Sequence, residues 1–177
     1  MTLPLTLVVT PAYCTPGNQR LPLLRQTIHS VSRQNAPYLH VIVDDGSTDE
    51  TPELLERLAR QDPSLRVVHQ TNQGSSAAVN AGIERALTCY DPEYVTVLHS
   101  DDLLLPGSLE SRVSNAQQRQ AVWVYTDRVL FMKQEDPPHV YLHLPLRHQK
   151  NFTLRSCLII AFLAQPCSGT LAFFSTT

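Results

Sequence analysis

Apolar residues in this chain alternate between short runs rich in Val, Ile and Leu and longer stretches in which they recur every three or four positions. Residues 5–9 (LTLVV) predict a first strand; after a turn over residues 11–17, Leu21, Leu24, Ile28 and Val31 share one side of a predicted helix. Residues 41–43 (VIV) predict a second strand, followed by a turn in which Ser47, Thr48 or Asp49 can cap a helix carrying Leu54, Leu55 and Leu58. Residues 65–69 predict a third strand, and Asn72 to Ser76 opens a helix running through Ala77, Ala78, Ala81, Ile83 and Leu87 to about Thr88. Its small residues, Gly82 among them, let it lie close to the sheet or to a ligand. Residues 94–98 (YVTVL) predict the fourth strand, and Pro106-Gly107-Ser108 starts a helix through Leu109 and Val113. Repeated strand–helix units of this kind give a mainly parallel sheet with right-handed crossovers and helices on both faces.

The alternation ends near residue 120. Residues 122–125 (VWVY) read as a strand, and residues 128–132 are expected to extend it or pair with it. Residues 134–138 (QEDPP) form a loop, because two prolines fix φ and remove backbone donors. Residues 141–153 have weak periodicity and predict no element. No repeat, low-complexity tract or interdomain linker interrupts the 177 residues, which fit one domain.

Composition narrows the class. A net charge of -2 with scattered Lys and Arg carries no electrostatic footprint for nucleic acid. Cys14, Cys89, Cys157 and Cys167 lack metal-ligand spacing and read as reduced thiols in a cytoplasmic protein, with a disulfide as the alternative. The apolar start lacks the basic residues and cleavage site of a signal peptide, and residues 157–164 are far shorter than the roughly 20 residues a membrane span needs. Leu158, Ile159, Ile160, Phe162 and Leu163, if exposed, would suit a homodimer contact.

Candidate chemistry lies where strands end. The second strand runs into Asp44-Asp45 and the fourth into His99-Ser100-Asp101-Asp102, so both acidic pairs are expected at the carboxyl edge of one sheet, where ligands of open α/β sheets bind. Four carboxylates brought together call for a cation, and hard oxygen donors suit Mg²⁺ or Mn²⁺ bridging carboxylates to substrate phosphates. A dinucleotide-binding sheet would instead need a Gly-rich first turn, whereas residues 10–18 hold one glycine and two prolines.

Four segments in order are similar to the inverting family 2 glycosyltransferases with the GT-A fold: residues 8–13 (VVTPAY), residues 41–49 (VIVDDGSTD), Asn72-Gln73-Gly74 through Asn80-Ala81-Gly82, and residues 98–102 (LHSDD) with Pro106. The likeness spans roughly residues 5 to 110. It implies a Rossmann-like αβα sandwich with a mainly parallel central sheet. In it, Thr10, Pro11, Ala12, Tyr13 and Asp45, with Asp44 beside them, hold the nucleotide of a UDP- or GDP-sugar. A carboxylate suits a base N–H, and a proline and an aromatic offer a flat apolar wall. The alternative for Asp44 and Asp45 is only to cap the following helix. His99-Ser100-Asp101 occupies the position of the family's DXD motif, making Asp101 the expected ligand of Mn²⁺ or Mg²⁺, with Asp102 as second ligand or orienting group. Asn72, Gly74 and Asn80 are expected to line the donor site, with turn-forming and backbone-bonding roles as the alternative.

Three departures accompany the resemblance. His99 replaces the usual first aspartate, and either ligates or is structural. Val79 stands where many relatives carry Arg or Lys, removing a cation from the diphosphate. The general base of inverting transfer, expected in an acidic pair beyond residues 165–170 (QPCSGT), is not found in the chain. Residues 1–110 are thus expected to be the nucleotide-sugar-binding half of a single domain, and residues 111–177 an acceptor-side half cut short. The implied function is metal-dependent transfer of a sugar, with inversion, from a nucleoside-diphosphate sugar to a glycan, lipid or protein acceptor. The alternative is a non-catalytic nucleotide-sugar-binding module.

Overall fold

The computed structural model describes residues 3–121, 123–124, 128–132, 139–144 and 160–162. Four strand–helix units come first: β1 (Thr6–Ala12), α1 (Leu21–Ser32), β2 (Tyr38–Asp45), α2 (Thr51–Gln61), β3 (Leu65–Gln70), α3 (Ser75–Leu87), β4 (Tyr94–Val97) and α4 (Ser108–Arg119). Strands β1 to β4 stand in the order β3-β2-β1-β4 and are all parallel, with Val9 opposite both Val41 and Val97. The order reverses beside β1, so the crevice between the β1 and β4 loops is the topological switch point at which sheets of this class receive ligands.

Side-chain alternation along β1 sorts the core into two layers. Leu7 and Val9 meet Val41, Val43, Ala78 and Ala86 beneath α3, while Val8 meets Val31, Leu98 and Leu109 beneath α1 and α4. Ile42 packs with Leu24 and Leu55 beneath α1 and α2. The expected close approach of α3 occurs at Gly82: a Cβ there would lie 2.7 Å from Val9 Cγ1 and 2.9 Å from Val43 Cγ2. Two polar side chains share the buried β1–β2 face, His40 Nε2 lying 2.9 Å from Thr10 Oγ1. Burial holds the His40 imidazole neutral, with a pKa of about 3.

The last third departs from expectation. Strand β5 (Trp123–Val124) does not pair with β6 (Arg128–Met132); β6 joins β7 (His139–Leu144) in a separate antiparallel ribbon. Strand β8 (Ile160–Phe162) enters the main sheet antiparallel, between β4 and β5. With both of its sides paired, β8 offers no edge to a second copy of the chain; Leu158, Ile159 and Leu163 lie outside the described residues. So do Cys157, Cys167, the loop at residues 134–138 and residues 165–170. Among the described residues, no helix is long and apolar enough to cross a membrane.

Candidate nucleotide-sugar site

Three loops converge at the carboxyl edge of the parallel sheet: those after β1, β2 and β4. Ser47 Oγ accepts the Cys14 N–H at 2.9 Å and the Thr48 N–H donates to the Cys14 carbonyl at 2.9 Å, clasping the first two together. Arg20 Nη1, at the start of α1, lies 3.8 Å from Asp101 Oδ2 and joins the first loop to the third. Asp45, ending β2, and Asp101, in the loop after β4, therefore share one end of the molecule; the two strands are separated by β1 alone and so stand about 10 Å apart.

Adjacent residues of a strand point to opposite faces, so Asp44 and Asp45 part company. Asp44 turns toward α2. Its Oδ1 accepts the Ser47 N–H at 3.0 Å, and its Oδ2 meets His69 Nδ1 at 2.9 Å while His69 Nε2 meets Glu56 Oε1 at 3.0 Å. Burial alone would lower the His69 pKa, but its bonds to Asp44 and Glu56 outweigh this and raise it. Asp45, 3% exposed, turns toward α3. Its Oδ1 accepts Gln70 Nε2 at 2.7 Å and the Gln73 N–H at 2.9 Å, and its Oδ2 accepts the Gly74 N–H at 2.9 Å. A carboxylate offers about four acceptor positions, so one remains, on Oδ2. Negative charge is also favoured there by the N-terminus of α3.

For three of the four aspartates the expected repulsion is thus relieved within the protein: Asp44 by His69, Asp45 by amide hydrogens and Asp101 by Arg20. Among the described residues, no group of three or more His, Cys, Asp and Glu side chains is arranged to hold a metal by itself. Asp101 is nonetheless suited to share one. Its carboxylate is 44% exposed, and Asp102 follows it in the same exposed loop. One or two exposed carboxylates fit Mg²⁺ or Mn²⁺, which takes its other oxygens from water and phosphate.

The remaining expected residues divide by exposure. Tyr13 (42% exposed), Asn72, Gly74, Asn80 and His99 face solvent, whereas Thr10, Pro11, Ala12 and Ser100 are buried. Thr10 gives its hydroxyl to His40 rather than to the crevice. Gly46 has a reason to be glycine: its φ is +79°, and a Cβ would lie 2.9 Å from the Asn72 backbone nitrogen, where the second loop abuts the segment before α3.

Sequence reasoning missed the residues that fix the third loop. Thr27 and Ser30 on α1, and Gln34 two residues past its end, bond the backbone after β4. Thr27 Oγ1 donates to the Asp102 carbonyl at 2.8 Å, Ser30 Oγ accepts the Leu104 N–H at 3.1 Å, and Gln34 donates to the Leu105 carbonyl at 3.1 Å. Gln34 Oε1 also accepts the Leu109 N–H at 3.1 Å, satisfying a donor in the first turn of α4. Helical spacing of three polar residues beside the apolar stripe Leu24, Ile28 and Val31 was the available signal, but it does not name the partner.

Comparison with known proteins agrees with this geometry. The sequence profile of glycosyl transferase family 2 matches residues 7–174. The chain is 33% identical over 144 residues to TuaG of Bacillus subtilis (strain 168), which bears the name of a teichuronic acid biosynthesis glycosyltransferase; the match covers 80% of this chain and 54% of TuaG. It is 34% identical over 116 residues to the glycosyltransferase GlyG of Streptococcus pneumoniae serotype 4, covering 64% of this chain and 36% of GlyG. The chain therefore spans about half the length of the first relative and about a third of the second. Among solved structures, S. aureus TarS 1-349 in complex with UDP superposes with a TM-score of 0.56 at 23% identity, over 70% of this chain and 34% of that one. That likeness shows the GT-A fold.

Proposed function

Because the chain belongs to glycosyl transferase family 2, we propose that its three-loop crevice binds a nucleoside-diphosphate sugar and serves transfer of the sugar, with inversion, to an acceptor hydroxyl. The observation carrying this reading is the convergence of the Tyr13, Asp45 and Asp101 loops at the switch point between β1 and β4. Residues 1–110 are the donor half in this reading, since all three loops come from them.

Each group has a task that its surroundings suit. The free acceptor position on Asp45 Oδ2 takes an N–H from the base, such as the uracil imide, and the exposed Tyr13 ring lies in the neighbouring loop as a wall for the base. In this reading the exposed Asn72 and Asn80 offer amide groups to the donor, with Gly74 in the loop between them and Asp45. Asp101, with Asp102, holds Mg²⁺ or Mn²⁺, which supplies Lewis-acid neutralisation of the diphosphate leaving group. Thr27, Ser30 and Gln34 keep that loop in place, so its carboxylates do not have to be ordered when donor arrives.

The test is calorimetric titration of UDP and GDP with and without Mn²⁺ into the wild type and Asp101→Ala. Wild type should bind one of the two more tightly with Mn²⁺. The variant should lose the Mn²⁺ enhancement and keep its thermal midpoint, since an exposed strand-end carboxylate contributes little to the core. Unchanged Mn²⁺-dependent affinity in Asp101→Ala would remove the metal assignment, and binding of neither nucleotide by the wild type would remove the donor site.

A further inference from the structure

We infer that Arg20, which pairs with Asp101 across the switch point, is a cationic contact to the donor diphosphate. The inference rests on the donor-site reading above and adds to it a residue outside the resemblance.

Arg20 is held in position by its backbone. Asn18 Oδ1 accepts the N–H groups of Thr15 and Arg20, each at 3.1 Å, and Asn18 Nδ2 donates to the Tyr13 carbonyl at 3.1 Å. Between Asn18 and Arg20, Gln19 adopts φ +50°, a left-handed conformation uncommon for a residue with a side chain. The result sets Arg20 at the N-cap position of α1, whose first turn contains no acidic residue. A cation there is opposed by the helix dipole, so local helix stability does not account for an arginine at this position.

Its one side-chain partner among the described residues is Asp101, 3.8 Å away across the switch point, with both side chains about half exposed. An exposed pair at that distance contributes little and exchanges readily. A guanidinium has five donors in a planar fork matched to phosphate oxygens, and a diphosphate between the β1 and β4 loops would lie within the span that this pair already bridges. With the donor bound, the Arg20 fork would move from the Asp101 carboxylate to the phosphates, leaving Asp101 to hold a divalent cation. Arg20 thereby neutralises Asp101 before binding and the diphosphate afterwards.

The experiment compares wild type, Arg20→Lys and Arg20→Gln for binding of UDP and GDP by calorimetry with Mn²⁺, and of uridine and guanosine by ligand-observed NMR. Circular dichroism confirms folding of each variant. For the nucleotide that wild type binds, Arg20→Gln should lose about tenfold in affinity, with Arg20→Lys in between, while binding of the matching nucleoside stays the same. Wild-type affinity for the diphosphate in Arg20→Gln, or an equal loss for the nucleoside, overturns the assignment of Arg20 alone. A wild type that binds neither UDP nor GDP overturns the donor site and this inference together.

Discussion

Gln34→Leu should loosen the loop that carries Asp101 and Asp102, although residue 34 lies in the connection between α1 and β2. The substitution conserves bulk but deletes the donor to the Leu105 carbonyl and the acceptor for the Leu109 N–H, at 3.1 Å each. Gln34 is 7% exposed, so the Leu109 N–H is left without a partner in a dry first turn of α4. An unsatisfied buried donor costs about 1–3 kcal/mol and a lost neutral hydrogen bond about 1, giving roughly 2–4 kcal/mol in all. That is a large share of an ordinary domain's stability and lowers the urea midpoint by about 1 M or more. Urea unfolding followed by circular dichroism reads the total, and hydrogen exchange over residues 99–109 reads its location. Gln34→Glu keeps the acceptor for Leu109 but sets a buried oxygen against the Leu105 and Ser30 carbonyls, so it too should be destabilised. An unchanged midpoint and unchanged exchange in Gln34→Leu would refute the idea that Gln34 braces this loop.

Acid should destabilise the fold through His40 before the carboxylates titrate. Its folded pKa of about 3 lies below the ordinary 6.5, so the stabilisation is complete above pH 6.5 and declines by about 1.4 kcal/mol per pH unit as pH falls toward 3. His69 has the opposite sign: its raised pKa gives a contribution that is complete below 6.5 and fades as pH rises through the folded value. Between pH 6.5 and 5, unfolding free energy should thus drop by about 2 kcal/mol in wild type and less steeply in His40→Gln; equal slopes would contradict this. Gly46→Ala combines φ +79° with a 2.9 Å approach to Asn72 N and should destabilise by about 2 kcal/mol or more while weakening nucleotide binding. A wild-type melting temperature in Gly46→Ala would show that the two loops can separate freely.

How much could be foreseen depended on whether a feature is local in the chain. The four parallel strands were legible because each is a short apolar run closed by turn residues, and the helices because Leu21, Leu24, Ile28 and Val31, or Leu54, Leu55 and Leu58, repeat at helical spacing. Strand β8 was not, since three residues inside an apolar stretch carry no period, and its partners β4 and β5 are far away in sequence. The edge position of Asp45 and Asp101 followed from strand ends alone. Their neutralisation did not: His69, Gln70 and Arg20 are ordinary polar residues until the register sets Asp44 opposite His69 and Asp45 opposite Gln70. The pair Asp44-Asp45 reads as one acidic unit in sequence, yet the pleat assigns its members to different layers, one bonded to β3 and the α2 side and the other to the start of α3.

The insertion of β8 beside β4 has a consequence during synthesis. A nascent chain that has reached Val97 can already complete β3-β2-β1-β4, but the outer hydrogen-bonding groups of β4 wait for Ile160 to emerge before they are covered. Throughout that interval the growing polypeptide exposes a row of unmet amides and carbonyls, a template for wrong pairing. Ribosomes stalled between these two points should yield chains that aggregate or recruit chaperones, and release past Ile160 should suppress both; equal solubility at either stall point would show that the open flank is harmless.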